Sequence, residues 1–177
     1  RSQPIRKGKE KIDKKGLVVG GGLAGMTASL QLAQQGYEIY LIEKEKELGG
    51  NLRESFYTLR GSNPQDLLNK LIKQVESNGS IHLYSEAEIL GFEKKNGHYQ
   101  TKIRHQNEEK ILDHGALILA TGGKEITPKE YLHGEDSRVI TQRQLEKMIH
   151  LNDERLKDVH SVVMIQCVGS RDEDHPY

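Results

Sequence analysis

The sequence has very little cysteine. Its 177 residues include one, Cys167, so the chain can form neither an internal disulfide nor a C-x-x-C pair that would hold an iron–sulfur cluster. Such sparse cysteine is typical of a reducing compartment, and we expect a cytoplasmic protein. Cys167 lies in the apolar run SVVMIQCVGS, which predicts a final buried strand with this thiol packed in the core.

An excess of either charge is also absent. The chain has 26 Lys and Arg against 26 Asp and Glu, a balance that gives no support for binding to nucleic acid or to a membrane surface. No apolar run reaches membrane-spanning length, and no signal-peptide pattern is present. The eight histidines are scattered without metal-ligand spacing, so we predict no metal site. No residue pattern indicates a catalytic acid, base or nucleophile.

The domain organisation follows from composition. Residues 1–15 are rich in Lys and Arg, which predicts a flexible basic linker. Residues 16–160 are predicted to form one domain, and residues 161–177 to begin a following, truncated segment. Both ends look like cuts, so we expect this sequence to be a piece of a longer protein.

Glycine is concentrated in one place, LVVGGGLAGM at residues 17–26. Gly20, Gly22 and Gly25 fit the pattern G-x-G-x-x-G, with Gly21 as an extra glycine, between a predicted strand and a predicted helix. In this pattern the first glycine allows a tight turn, the second lets phosphates approach the backbone, and the third lets the helix pack on the strand. The amides that begin the helix, at Leu23 and Ala24, would then face a diphosphate.

The pattern of elements predicts an α/β fold with a parallel sheet. The strand at residues 16–19, the helix at 23–35 and the strand YEIYLIE at 37–43 form a βαβ unit. A helix capped by Asn63 follows, with Leu67, Leu68, Leu71, Ile72 and Val75 as its apolar stripe. IHLYS and ALILATGG read as further buried strands, and residues 141–151 as a helix with Thr141 as its cap and Leu145, Met148 and Ile149 facing inward.

Residues 87–113 interrupt this alternation. Three short segments of alternating polarity predict an antiparallel meander, and Asn96–Gly97 predicts the first hairpin turn. We therefore predict a three-layer Rossmann-like domain that binds FAD or NAD(P), with the meander as its third layer. The inserted meander favours FAD over a simple NAD domain.

Glu43 ends the second predicted strand. A carboxylate at this point accepts hydrogen bonds from the ribose hydroxyls of an adenine dinucleotide, and it disfavours the 2′-phosphate of NADP. Lys44 follows it and is a candidate for the adenosine or phosphate edge. The small residues Ala120, Thr121 and Gly122 end the strand of ALILATGG, at the edge where parallel sheets bind their ligands.

These motifs resemble the FAD-binding domain of the glutathione and thioredoxin reductases. Residues 15–177 further resemble the A-subunit of heterodisulfide reductase, through the glycine loop, ELGGNLRE and VVMIQCVGSRDEDHPY. The resemblance implies FAD as the cofactor and places Gly50, Asn51 and Leu52 on the flavin side and Ala87 near adenine. It implies electron-transfer protein subunits as partners, with iron–sulfur clusters in the longer parent or in partner chains, in an anaerobe.

Two alternatives remain open on the sequence. One is a truncated NAD(P)H-dependent flavoprotein similar to thioredoxin reductase. The other is a non-catalytic scaffold that no longer binds flavin. The sequence lacks the redox-active cysteine pair of the disulfide reductases, which separates it from their chemistry.

Overall fold

The structure is a computed structural model that describes residues 13–95, 98–169 and 171. The chain divides into two units, Arg1–Leu52 with Asp66–Gly122 and Arg53–Gln65 with Gly123–Tyr177. The strands and α-helices in chain order are β1 (Lys15–Val19), α1 (Leu23–Gln34), β2 (Glu38–Ile42), α2 (Pro64–Glu76), β3 (Ile81–Tyr84), β4 (Glu88–Lys95), β5 (His98–His105), β6 (Glu108–His114), β7 (Ala116–Leu119) and α3 (Gln142–His150). Short 3-10 helices cover Gly50–Glu54, Glu130–Leu132 and Glu154–Leu156.

The first unit is built on a four-stranded parallel sheet in the order β3-β2-β1-β7. Val18 of β1 lies opposite Leu41 of β2 on one side and Ile118 of β7 on the other. Successive residues of a strand point to opposite faces. Both faces are covered here, which is why the strands read as continuous apolar runs rather than as alternating ones.

Helices α1 and α2 cover one face of this sheet. The apolar residues of their inner sides pack with alternate residues of β1 and β2 into one buried cluster, which comprises Val18, Met26, Ile39, Leu41, Leu48, Leu68, Leu71, Val75 and Ile81. The cap predicted at Asn63 is present, because its side-chain oxygen accepts from Gln65 N at 2.9 Å. Leu67 was predicted to belong to the inward-facing apolar stripe of α2, but it is 44% exposed. The buried side of the helix is therefore narrower than the predicted stripe.

The meander covers the other face. Strands β4, β5 and β6 form an antiparallel sheet in that order, and a second buried cluster of Leu17, Ile42, Ala87, Ile103 and Leu112 joins it to the parallel sheet. The predicted three-layer fold is therefore confirmed. The predicted turn at Asn96–Gly97 lies outside the described residues, although β4 and β5 do pair antiparallel, with Lys95 opposite His98.

Helix α3 organises the second unit. Thr141 caps it through a capping box with Gln144, as predicted. Glu146 accepts hydrogen bonds from the backbone amides of Phe56 and Tyr57 at 2.6 and 3.1 Å. The ring of Phe56 stacks on that of His150 with 4.0 Å between centroids.

Three predictions for this unit are wrong. The run at 161–166 is not a strand, and Val162 to Ile165 are between 49% and 85% exposed. A strand needs a neighbour to take its backbone hydrogen bonds, and the described residues offer it none. Cys167 is therefore an exposed residue with φ of 62° rather than a packed core thiol. Ile149 also faces outward, at 47% exposure.

Candidate functional site

The turn between β1 and α1 requires glycine at its first position. Gly20 has φ of 107°, a backbone region in which side chains are strained, and its amide donates to Ile42 O at 2.8 Å. A Cβ on Gly20 would overlap the carbonyl of Ala120. Gly25 serves the packing of α1 on this turn, since a Cβ there would overlap Gly20 O.

Gly22 differs from these glycines because it faces open space. The nearest atom to a Cβ at Gly22 would be Gly49 O, 4.0 Å away. Gly22 is the N-cap of α1, and no side chain of the described residues caps the helix there. Met26 N donates to Gly22 O at 2.9 Å, so the amides of Leu23, Ala24 and Gly25 precede the hydrogen-bonded ladder of the helix. An N-terminus of this kind attracts anions through its amides and its dipole.

Glu43 lies beside this turn. Its Oε2 accepts from Gly21 N at 2.6 Å and its Oε1 accepts from Glu45 N at 2.8 Å. The residue is 7% exposed, and its carboxylate is directed at the glycine turn rather than at bulk solvent. Each carboxylate oxygen has two acceptor sites, so the hydrogen bonds found among the described residues leave one site on each oxygen for a further donor.

A second glycine turn meets the first. Gly49 N donates to Gly21 O at 2.8 Å, and Gly22 and Gly49 form an isolated parallel bridge. A Cβ on Gly50 would lie 3.4 Å from Gly22 Cα. Asn51 and Leu52 follow directly in the 3-10 helix Gly50–Glu54, and Leu52 packs against the core between the sheet and the helices.

The remaining predicted residues differ in their relation to the turn. Ala120 is in contact with it, through Gly20, and its amide donates to Val19 O at 2.8 Å. Thr121 and Gly122 are exposed beyond the end of β7. Ala87 is buried and its amide donates to Glu43 O at 3.0 Å, which ties it to the same strand end. Lys44 is exposed and pairs with Glu45 at 3.6 Å.

Two residues of the site were missed by the sequence reasoning. Leu48 is 4% exposed and lies directly over Gly21, because a Cβ on Gly21 would overlap its Cδ2. Gly49, with φ of 121°, supplies the bridge to Gly22. The sequence does contain a signal for Leu48, since it is the lone apolar residue of the charged run EKEKELGG. A turn that was solvated throughout would not need an apolar residue there.

Neither a metal-binding cluster nor a membrane-spanning helix is found in the part of the chain that the structure describes. No group of three or more His, Cys, Asp or Glu side chains is placed to hold a metal ion. None of the helices described has both the length and the apolar character needed to cross a membrane.

Comparison with known proteins assigns the family. The sequence profile of the pyridine nucleotide-disulphide oxidoreductases matches residues 14–165, which include every element from β1 to α3. The chain belongs to this family. Its fold is thus a flavin- or nucleotide-binding one.

Curated relatives of this family member narrow the resemblance. A heterodisulfide reductase A-subunit-like protein from Archaeoglobus profundus is 33% identical over 52% of the chain. The iron–sulfur A-subunit of the CoB–CoM heterodisulfide reductase of Methanocaldococcus jannaschii is 25% identical over 91% of it. The chain spans only 13% and 38% of the lengths of these two relatives.

Solved structures share the fold. L-proline dehydrogenase from P. horikoshii matches with a TM-score of 0.55 and 25% identity, over 63% of this chain and 22% of that one. Bacillithiol disulfide reductase from Bacillus cereus matches with a TM-score of 0.50 and 17% identity, over 67% of this chain and 44% of that one. The second likeness concerns the fold alone.

Proposed function

We propose that this chain is the FAD-binding part of an electron-transfer oxidoreductase subunit similar to the A-subunit of heterodisulfide reductase. The observation that carries the proposal is the pairing of Gly22, which faces open space at the N-terminus of α1, with the buried carboxylate of Glu43 at the end of β2. A diphosphate fits the first and a ribose the second, and together they describe the ADP half of a dinucleotide.

The diphosphate would bind at the amides of Leu23, Ala24 and Gly25. These amides lack acceptors within the helix, and the dipole of α1 adds a partial positive charge at the same point. Gly22 has no side chain to hold the phosphates at a distance. Gly20 and Gly21 contribute by shaping the turn rather than by direct contact.

The ribose would donate to the remaining acceptor sites of Glu43. Its two backbone hydrogen bonds, to Gly21 and Glu45, fix the carboxylate in one orientation, so binding would not have to immobilise it. A 2′-phosphate in the same place would meet a buried negative charge, which favours FAD or NAD over NADP. Ala87 and Lys44 are proposed to border the adenosine.

The flavin side is proposed to lie along the second glycine turn and the end of β7. A Cβ on Gly50 would lie 3.4 Å from Gly22 Cα, and a Cβ on Gly20 would overlap the carbonyl of Ala120. Asn51, Leu52, Thr121 and Gly122 follow these two points directly in the chain. FAD, when bound, would accept and donate electrons singly or in pairs, while the chain supplies its position and its electrostatic surroundings.

Partners and location belong to the same proposal. Relatives are named as iron–sulfur subunits of heterodisulfide reductases, and we propose that electron-transfer subunits carrying such clusters exchange electrons with this protein in the cytoplasm. The iron–sulfur clusters would be held by partner chains or by parts of a longer protein.

Titration of the purified chain with FAD tests the proposal. Binding should change the fluorescence of FAD and leave a yellow protein after removal of free cofactor, because the bound flavin is retained by the chain. ADP should compete with FAD, since the site is assigned to the ADP half, and NADP should compete poorly. A chain that stays colourless after refolding with FAD, and that binds no ADP, would contradict the proposal.

The variant Gly22→Asp tests the placement of the diphosphate. Its carboxylate would enter the open space at the start of α1 and repel the phosphates, so FAD affinity should fall by at least about a hundredfold. Far-UV circular dichroism should show the fold retained. Gly79→Asp is the matched control, because a side chain at Gly79 would also meet open space, but away from the turn. Unchanged FAD affinity in Gly22→Asp would show that the diphosphate binds elsewhere.

A further inference from the structure

The backbone of Gly21 is restrained on three sides. Its amide donates to Glu43 Oε2 at 2.6 Å, and its carbonyl accepts from Gly49 N at 2.8 Å. The third side is covered by Leu48, whose Cδ2 occupies the place that a Cβ on Gly21 would take. The restraint comes entirely from this chain, through the end of β2 and the turn at residues 47–50.

Gly21 differs in this respect from its neighbours in the turn. Backbone atoms exclude a side chain at Gly20 and at Gly25, and nothing closer than 4.0 Å excludes one at Gly22. Gly21 alone is restricted first by the end of a side chain. Its φ lies outside the left-handed region, so its backbone conformation would accept alanine if the space were free.

Leu48 is itself unable to move aside easily. It is 4% exposed and belongs to the core cluster that contains Val18, Met26 and Leu41. Close-packed side chains in such a cluster resist displacement. The core between the sheet and the helices therefore fixes the position of Leu48, and Leu48 in turn restrains Gly21.

We propose that Leu48 is a positioning residue for the dinucleotide site. By contacting Gly21 from the core side, it holds the backbone of the turn in the orientation that directs the following amides toward the diphosphate. Gly21 is then glycine mainly because of Leu48, with a smaller contribution from Glu43, whose Oε2 and Cβ would lie 3.0 and 3.1 Å from a Cβ there, and not because of the cofactor. This inference rests on the proposed function and deepens it, because it assigns the extra glycine and the ELGG turn a role in preorganising the site.

A suppressor experiment tests the proposal, with FAD as the probe. Gly21→Ala should weaken FAD binding by about ten- to hundredfold, because the added methyl displaces the turn from Leu48. In a Leu48→Ala background the loss of affinity caused by Gly21→Ala should be at least about threefold smaller, because the methyl enters the space that was vacated. Part of the loss should remain, since Glu43 Oε2 and Cβ would still lie 3.0 and 3.1 Å from that methyl. Leu48→Val, which shortens the side chain and keeps most of the packing, provides the same test with less loss of stability.

Gly22→Ala is the matched control, since Leu48 does not cover Gly22. Its effect on FAD binding should be the same in both backgrounds. Equal losses from Gly21→Ala with and without Leu48→Ala would overturn the assignment, since the two positions would then act independently.

Urea unfolding without added cofactor separates this inference from the proposed function. The same dependence on Leu48 should appear in the unfolding midpoints, because the overlap exists in the folded chain itself. If the unaltered chain binds no FAD but Leu48→Ala still relieves Gly21→Ala in the unfolding midpoints, the proposed function fails while the packing role of Leu48 stands. Additive shifts of the midpoints would overturn the packing role as well.

Discussion

At the scale of single residues, Glu43 illustrates how one side chain serves both the fold and the site. Its two oxygens accept from Gly21 N and Glu45 N, which joins the end of β2 to the glycine turn and to the loop that follows. A carboxylate accepts in every direction in which its oxygens have lone pairs. The same property leaves it able to accept from ribose hydroxyls.

The substitution Glu43→Gln should damage both roles. A glutamine amide presents one oxygen and one NH₂ group, so either Gly21 N or Glu45 N would face a donor instead of an acceptor. We expect a loss of about 1–3 kcal/mol in the free energy of unfolding and at least about tenfold weaker FAD binding, measured by urea unfolding and by fluorescence titration. The control is Glu45→Gln, at an exposed carboxylate, which should change neither. Equal behaviour of the two variants would contradict the role of Glu43.

At the scale of elements, the meander depends on its inner side. Ile103 of β5 is fully buried in the cluster that joins the meander to the parallel sheet, whereas Ile111 of β6 is 62% exposed on the outer side. The two isoleucines are chemically identical and lie on neighbouring strands. They therefore form a matched pair for measuring what attachment of the meander contributes.

Ile103→Ala should cost about 2–5 kcal/mol of the free energy of unfolding, because it removes buried methyl groups and leaves a cavity. Ile111→Ala should change it by less than about 0.5 kcal/mol. Chemical denaturation followed by far-UV circular dichroism measures both. A similar cost for the two variants would mean that the meander does not pack on the sheet through the side that carries Ile103.

The elements also show how far the sequence could predict the structure. The βαβ unit, the meander and the capping of α3 by Thr141 follow from local patterns, and they were predicted close to their bounds. The run at 161–166 was not, because a strand depends on a neighbour that no local pattern reveals. The glycine turn was predicted from its sequence motif. The contact of Leu48 with Gly21 was not, because it brings together two loops that are distant in sequence, and neither loop alone indicates the other.

At the scale of the whole molecule, stability should depend on pH through His114. This side chain is fully buried; its Nδ1 donates to Ala116 O at 2.9 Å, and its Nε2 accepts from the hydroxyl of Thr101 at 2.9 Å. The carbonyl of Ala116 can only accept, which fixes this tautomer. Burial lowers the pKa of His114 below its ordinary value of 6.5, although the hydrogen bond to Ala116 and, to a smaller extent, the negative charges of Asp13 and Asp113 act in the opposite direction.

A lowered pKa in the folded state means that the unfolded chain binds the proton more readily. The free energy of unfolding should therefore be at its full value above about pH 6.5 and fall as the pH is lowered, by about 1.4 kcal/mol for each unit by which the pKa is lowered. Urea unfolding between pH 7.5 and 5.5 measures this. His114→Gln should flatten the dependence, while His160→Gln, at an exposed histidine, should leave it unchanged. An unaltered slope in His114→Gln would refute the assignment.

The hydrogen bonds that Gly21 makes to Glu43 and Gly49 have a thermodynamic consequence for any dinucleotide that binds here. The conformational entropy of this backbone is lost when the polypeptide folds, and little of it is left to lose on association. The binding free energy from the attraction between diphosphate and main chain is then not offset by the cost of ordering the turn. More of it remains to immobilise the rest of the cofactor, including the ring system on which electron exchange would depend.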